Sequence, residues 1–407
     1  MFHTSEFRKS DNEVISKIID NLGLDDARYE ITERNDNFMS TMYLLRVKFK
    51  NRTKGQTEEL PIIVKRPSQV EYFRQLSRSE SQFHNEILFY RMYAEPNDNF
   101  ARCLYTDERP PADSVIALEN MNKQGYRSCP YKYNVPLEYT LAAVRELGRF
   151  HGKGYVMKEL QREKFFAIVE QLREPRYDKM IPDDNVAYIN LTSTRAVEYL
   201  RKHDYYDAIF CNKAEAVLSN AFDEVMIKTV QPREPLATMC HGDFTASNIL
   251  FKTDNDGYRQ HQPMLIDFAL LRYATPVVDL STYLCLCCSN EVRRDKFPEI
   301  MRAYHDALKK YLLEADIWDA EKYSYEALLD DFRRGGLFGL VITTSFLPVL
   351  MGYDDPEDFL SKGLIEAANL NKQLGGDEIS KIVADMLLHL RDLGCFEYFS
   401  ESKNITS

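Results

Sequence analysis

The chain has 407 residues, is 44% hydrophobic and carries only 16 Gly and 16 Pro, so it can bury a large core, is long enough for two lobes and is not of disordered composition. A net charge of −11 and a pI near 5.4 exclude nucleic acid or an anionic membrane as the main partner, while local basic patches can still hold phosphates. The opening Met1-Phe2-His3-Thr4-Ser5-Glu6 lacks the charged-then-apolar pattern of a signal peptide, so a cytoplasmic location is expected.

In chain order, residues 11–24 read as a helix, and β character follows. Tyr29-Glu30-Ile31-Thr32 and Met42 to Phe49 alternate apolar and polar positions on either side of a polar turn, Arg34-Asn35-Asp36-Asn37. Leu60 to Lys65 is a third strand after the turn Asn51 to Thr57. Three antiparallel strands ending in a lysine, here Lys65, match the nucleotide-binding part of a kinase, where that lysine contacts the α- and β-phosphates. A lysine at a strand end is usually just solvated, so this reading depends on what lies downstream. A helix starting near Ser79 places Phe83, Ile87 and Tyr90 on one face and lets Glu86 reach back to Lys65 as an ion pair. Val115-Ile116-Ala117-Leu118 is a buried strand leading into Glu119-Asn120-Met121-Asn122, a hinge whose backbone would bond an adenine ring while Met121 lines its face. Leu137, Leu141, Val144, Leu147 and Phe150 form a helical stripe, and His151 after it reads as a packing residue. Residues 157–235 and 290–400 are helix-rich. Within the latter, the uncharged run Gly335 to Tyr353 is broken by Gly339, Thr343-Thr344-Ser345 and Pro348, and reads as a buried helix rather than a membrane span. The eight cysteines show no metal-ligand spacing with His and read as reduced core thiols.

The chemistry concentrates in Cys240-His241-Gly242-Asp243-Phe244-Thr245-Ala246-Ser247-Asn248-Ile249-Leu250-Phe251 and Met264-Leu265-Ile266-Asp267-Phe268. Phosphoryl transfer needs one carboxylate to orient the attacking hydroxyl and accept its proton, and a carboxamide and second carboxylate to hold Mg²⁺ against ATP. Asp243, Asn248 and Asp267 fit these roles in that order. Asp243 and Asn248 would share one tight loop, anchored by Ile249-Leu250-Phe251 as a short strand. Met264-Leu265-Ile266 would be its hairpin partner across a turn at Asn255-Asp256-Gly257. Only eleven residues separate Asp267 from Asp279, too few for the long activation segment and Ala-Pro-Glu signature that dock a peptide on a protein kinase. Asp279 reads as structural, tying the loop to the helix after it, and a compact alcohol is the natural acceptor.

His241-Gly242-Asp243 with Asn248, Leu265-Ile266-Asp267-Phe268 and Pro276-Val277-Val278-Asp279-Leu280 resemble the choline-kinase and aminoglycoside-phosphotransferase branch of the kinase-like superfamily. Within it, the sequence is most similar to the ecdysteroid kinase-like (CHK kinase-like) proteins of arthropods. Asn37-Phe38-Met39-Ser40, Ile63-Val64-Lys65, Glu86-Ile87-Leu88-Phe89-Tyr90, Leu118-Glu119-Asn120-Met121 and Leu271-Arg272-Tyr273-Ala274-Thr275-Pro276 carry that resemblance from about residue 35 to 310. It implies an α+β, bilobal protein kinase-like fold: a small antiparallel β-sheet lobe with a helix over 1–118, a hinge over 119–123 and a larger, mostly helical lobe over 124–407. It implies catalytic Asp243 with His241 bracing its loop, metal ligands Asn248 and Asp267, and a nucleotide site drawn from Lys65, Glu86, Asn35, Ser40, Glu119 and Met121. ATP with Mg²⁺, or Mn²⁺, is the implied cofactor set, and an ecdysteroid or other lipophilic alcohol the implied acceptor. No nucleic-acid partner and no membrane insertion are implied, and the oligomeric state is open. A choline or ethanolamine kinase and a catalytically inactive nucleotide- or hormone-binding protein are the alternatives. One departure is visible in the phosphate-covering loop at 34–40: Asn35 stands where the resemblance implies glycine, in a turn that would need a left-handed backbone.

Overall fold

Alternation in the N-terminal third becomes a sheet of five antiparallel strands. The structure is a computed structural model and describes residues 9–24, 26–36, 39–51, 55–203, 207–253, 261–354 and 362–399. The strands are β1 (Arg28–Asp36), β2 (Ser40–Lys50), β3 (Thr57–Pro67), β4 (Cys103–Asp107) and β5 (Val115–Glu119), in spatial order β1-β2-β3-β5-β4. Successive side chains of a strand point to opposite faces, so Tyr43, Leu45 and Val47 of β2 share one face with Ile62 and Val64 of β3. Helix α1 (Lys9–Leu22) covers that face with Ile15 and Ile18, and Leu104, Val115 and Ala117 complete the core. Strand β4 was not expected. Cys-Leu-Tyr-Thr-Asp is short, and pairing with β5 decides its state.

The turn expected at Arg34 to Asn37 is corrected. β1 runs on to Asp36, with Asn35 directly opposite Met42. Asn35 is not among the described non-glycine residues with a positive φ. Ladder pairing with β2 overrides the turn preference of the Asn-Asp-Asn run. Asn37 and Phe38 lie outside the described residues, as do positions 52–54 of the second turn and the Asn255-Asp256-Gly257 turn. Ser40, the other candidate in this loop, opens β2 opposite Pro67 and is buried.

Helix α2 (Glu71–Ser77) and helix α3 (Ser79–Leu88) follow β3, and α3 passes into a wider turn at Phe89–Tyr93. The chain forms two compact units that divide between Arg127 and Ser128. The second is mostly helical. Its long helix α4 (Leu137–Leu160) buries Val144, Leu147 and Phe150, as the stripe implied. It packs on α6 (Phe297–Glu314) so closely that a Cβ on Gly148 would lie 2.6 Å from the Tyr304 carbonyl. Short strands β6 (Thr238–Cys240) and β9 (Arg272–Ala274) pair antiparallel, as do β7 (Ile249–Thr253) and β8 (His261–Leu265). Helix α5 (Val277–Leu286) is wholly buried. Helix α7 (Leu337–Leu350) occupies the uncharged run and is buried save at Phe346 and its last two residues. Thr343 and Thr344 return their hydroxyls to carbonyls of the same helix, which satisfies them without water. Among the described residues, no helix is long and apolar enough to cross a membrane. All eight cysteines are free thiols, six of them buried.

Candidate active site

The loop between β6 and β7 is held from beneath by one carboxylate. Asp279, fully buried on α5, accepts the backbone N–H of His241 at Oδ2 and that of Gly242 at Oδ1, both at 2.7 Å. His151 of α4 donates to the same Oδ2 from Nε2 at 2.9 Å, and its Nδ1 meets the Tyr304 hydroxyl at 2.7 Å. Burial would raise the Asp279 pKa. The hydrogen bond from His151, the electrostatic influence of the two neighbouring imidazoles and the Gly242 N–H outweigh it and hold the carboxyl below the ordinary aspartate value. His151 therefore does more than pack: it orients the carboxylate that holds the loop. Gly242 is obligatory here. Its φ is +81°, and a Cβ would sit 1.9 Å from the Leu270 carbonyl oxygen.

His241 has a defined tautomer. Nε2 faces the Ile266 carbonyl at 2.9 Å, which can only accept, so Nε2 carries the proton, and Nδ1 accepts the Asp243 N–H at 3.3 Å. The imidazole thus ties the Asp243 backbone to the segment that carries Asp267.

Asp243 and Asn248 are brought together as expected. Asn248 Nδ2 donates to the Asp243 carboxylate at 3.0 Å and to its carbonyl at 2.9 Å. The Asn248 amide closes a tight turn on the Thr245 carbonyl, and its own carbonyl accepts the Ile266 N–H at 3.1 Å. Asp267 comes directly after, with φ +66°, a left-handed conformation uncommon for a residue other than glycine. With both bonds of its nitrogen directed at Asp243, Asn248 keeps Oδ1 without a hydrogen bond among the described residues. A carboxamide oxygen and a half-exposed carboxylate on the adjoining segment are hard-oxygen donors, of the kind that suits Mg²⁺ or Mn²⁺.

In the sheet-bearing unit, Lys65 of β3 and Glu86 of α3 form the expected ion pair, Nζ to Oε2 at 2.7 Å, with Glu86 buried and Lys65 also lying over the Phe83 ring. Glu119 ends β5, spends its carboxylate on Arg102 and Gln124, and donates its backbone N–H to the Arg102 carbonyl at 2.9 Å, so its side chain and its N–H are both committed. Met121 is buried at the start of a short 3₁₀ turn, Met121–Gln124, capped by Asn120.

Two features carried no local signal in the sequence. Glu174 accepts the N–H groups of Arg176 and Tyr177 at 2.9 Å each and pairs with Arg272 at 3.0 Å. This fixes a segment nearly a hundred residues upstream against β9. The second is a buried group, His151, Cys240 and Asp279, whose donor atoms lie within 4.8 Å of one another. Its donor atoms are already engaged with protein groups: His151 Nε2 and the Asp279 carboxylate with each other, Asp279 also with the His241 and Gly242 N–H groups, and the Cys240 thiol, its pKa pushed up by burial, with the Ala274 and Thr275 carbonyls.

A sheet-bearing unit with a Lys–Glu pair and a mostly helical unit with an Asp–Asn loop followed by a second Asp make up a kinase-like fold, that of a small-molecule phosphotransferase. The chain belongs to the ecdysteroid kinase-like family, whose model matches residues 34–316. No curated protein matches the chain. Among solved structures, it is similar to a thermostable mutant of aminoglycoside phosphotransferase APH(4)-Ia, in one case as a ternary complex with ADP and hygromycin B and in another with AMP-PNP and hygromycin B. Identities are 12% and 11%, the matches cover 89% of this chain and 99% and 98% of those chains, and the TM-score is 0.31 for both. At that score the likeness lends no weight to any particular activity.

Proposed function

We propose that the protein transfers the γ-phosphoryl group of ATP to the hydroxyl of a small lipophilic alcohol, an ecdysteroid or a dietary or xenobiotic compound. The observation that carries this reading is the division of labour within Asn248: its nitrogen orients the Asp243 carboxylate, and its oxygen is left for a cation beside Asp267. In this reading Asp243 orients the acceptor hydroxyl and takes its proton as the oxygen attacks phosphorus. Lys65, braced by Glu86, holds the α- and β-phosphates, and the backbone from Glu119 to Met121 seats adenine. His241 and Asp279 keep Asp243 in place. A divalent ion held by Asn248 and Asp267 would neutralise charge on the triphosphate.

The chain after Asp267 points to a compact acceptor. Apart from the half-buried Tyr273, every residue from Phe268 to Cys288 is buried, with α5 beginning at Val277. That leaves no extended segment on which a peptide could lie. The complete set of Lys65, Glu86, Asp243, Asn248 and Asp267 argues against an inactive protein, and Asn35, the one residue that favoured inactivity, stands in a strand rather than in a strained turn. The test is acceptor-dependent ADP release with ecdysone, choline and simple phenols, with Asp243→Asn as control. Turnover with ecdysone or a phenol that disappears in the variant supports the reading. Turnover with choline alone, or none with any acceptor, overturns it.

A further inference from the structure

The Glu174–Tyr177 segment is built as deliberately as the catalytic loop, and none of the phosphotransfer roles uses it. Glu174 stands at its head. One carboxylate oxygen accepts two successive backbone N–H groups and closes the turn, while the other binds the Arg272 guanidinium. Arg272 lies opposite Cys240 in the β9–β6 pair, and its Nε donates to the Leu270 carbonyl. A Cβ on Gly242 would lie 3.0 Å from that Nε, so Arg272 is packed against the residue that precedes Asp243. The Tyr177 ring covers the Arg272 guanidinium, 5.1 Å from its centroid, and meets Phe338 of α7 edge-on at 5.6 Å. One side of the Asp243 loop is therefore lined by Arg272 and then Tyr177.

Tyr177 is only 5% exposed, and its hydroxyl makes no hydrogen bond among the described residues, yet it is not one of the buried side-chain atoms without a partner. The ring is therefore packed while the oxygen stays accessible, where a ligand's polar atom can meet it. Burial pushes its pKa up, Arg176 and Arg272 pull the other way, and the charges of Glu174 and Asp243 are both felt there, so the group is a neutral phenol within electrostatic reach of the catalytic carboxylate.

Resting on the phosphotransferase reading, we propose that Tyr177 is the acceptor-recognition residue, its hydroxyl hydrogen-bonding the alcohol substrate beside the hydroxyl that Asp243 orients. Glu174 acts through it as a positioning residue: it closes the turn and clamps Arg272, the platform on which the phenol rests. The site accordingly favours an acceptor that offers a second oxygen near the reacting hydroxyl, because an apolar acceptor would displace water from the phenol without replacing its hydrogen bond.

The experiment uses the full chain and whichever of ecdysone, choline or a simple phenol supports ADP release by the wild type. Tyr177→Phe keeps the ring on Arg272 and Phe338 and removes only the hydroxyl. It is expected to raise the acceptor KM about three- to tenfold, the worth of one neutral hydrogen bond, while the ATP KM and acceptor-independent ATP hydrolysis stay at wild-type values. Equilibrium binding of the acceptor should weaken by the same factor. Glu174→Gln, which keeps the shape but loses the charge on Arg272, should shift the acceptor KM in the same direction with ATP KM unmoved. An unchanged acceptor KM in Tyr177→Phe, or equal changes in both KM values, overturns the proposal while leaving the phosphotransferase reading intact. A wild type inactive on every acceptor overturns both.

Discussion

Asn248 donates from one side-chain nitrogen to the carboxylate and to the carbonyl of Asp243, at 3.0 and 2.9 Å. The two functions of this carboxamide can be separated. Asn248→Ala removes the orienting N–H and the oxygen proposed for the metal together. Asn248→Asp restores oxygen ligands but sets a second carboxylate against Asp243. Both should lower kcat by roughly 100-fold or more. A magnesium titration distinguishes them: the apparent metal affinity should fall in Asn248→Ala and persist in Asn248→Asp. If the alanine variant keeps wild-type magnesium dependence, Asn248 is not a ligand.

Asp279 accepts three donors, the N–H groups of His241 and Gly242 and the His151 Nε2–H. Asn in its place would turn an NH₂ group towards at least one of them and leave the imidazole without its charge partner. The expected loss of stability is roughly 3–5 kcal/mol, typical of breaking a buried charged network, with turnover lost as the loop loses its support. The direction of the shift sets the pH dependence. The folded carboxyl titrates below its ordinary 3.8, so its stabilisation is complete above that value and is lost as pH falls through the lower folded one. Acid unfolding of the wild type followed by circular dichroism should steepen below about pH 4, and the Asp279→Asn variant should lack that component. A variant with wild-type melting and turnover would show that the loop does not depend on this carboxylate.

The contacts among the proposed site residues were legible in the sequence because they are local. Asp243, Asn248 and Asp267 sit within one loop and one hairpin, and Lys65 and Glu86 lie on a strand and the helix that soon comes after it. Their supports come from afar. His151 meets Asp279 across 128 positions and Glu174 meets Arg272 across 98, and no local periodicity encodes such partners. The five-stranded order was only partly legible, since Cys103–Asp107 owes its state to pairing with Val115–Glu119 rather than to its own alternation.

Asn35 shows the opposite error, a local signal overruled by pairing. The Asn-Asp-Asn run reads as a turn, yet Asn35 faces Met42 in the ladder. A glycine there would therefore weaken a strand rather than relax a turn. Asn35→Gly should lower stability by about 0.5–1 kcal/mol, seen as a reduced Tm, with the KM for ATP unchanged. A lower ATP KM at constant Tm would restore Asn35 to a phosphate-contacting turn.

His389 supplies a pH test remote from the catalytic loop. It lies on α8 (Gly376–Asp392), is 7% exposed, and its Nε2 is buried without a hydrogen-bond partner among the described residues. Its ring packs against Phe297. Burial first, then the charges of Arg293 and Arg294, disfavour the imidazolium, and the pKa is pushed down to about 4 from 6.5. Between those values the unfolded chain binds a proton at this position and the folded chain does not, so stability rises with pH across the window. The stabilisation from a neutral His389 is thus complete above pH 6.5 and is lost progressively as pH falls towards 4. His389→Leu removes the titration while keeping an apolar side chain of similar size. Other acid-sensitive groups are common to both proteins and cancel in the difference. The gap in urea midpoint between wild type and variant should be flat above pH 6.5 and shift steadily in favour of the variant from there to pH 4. A gap that stays constant over the whole range would mean that His389 reaches water and titrates as freely in the folded chain as in the unfolded one.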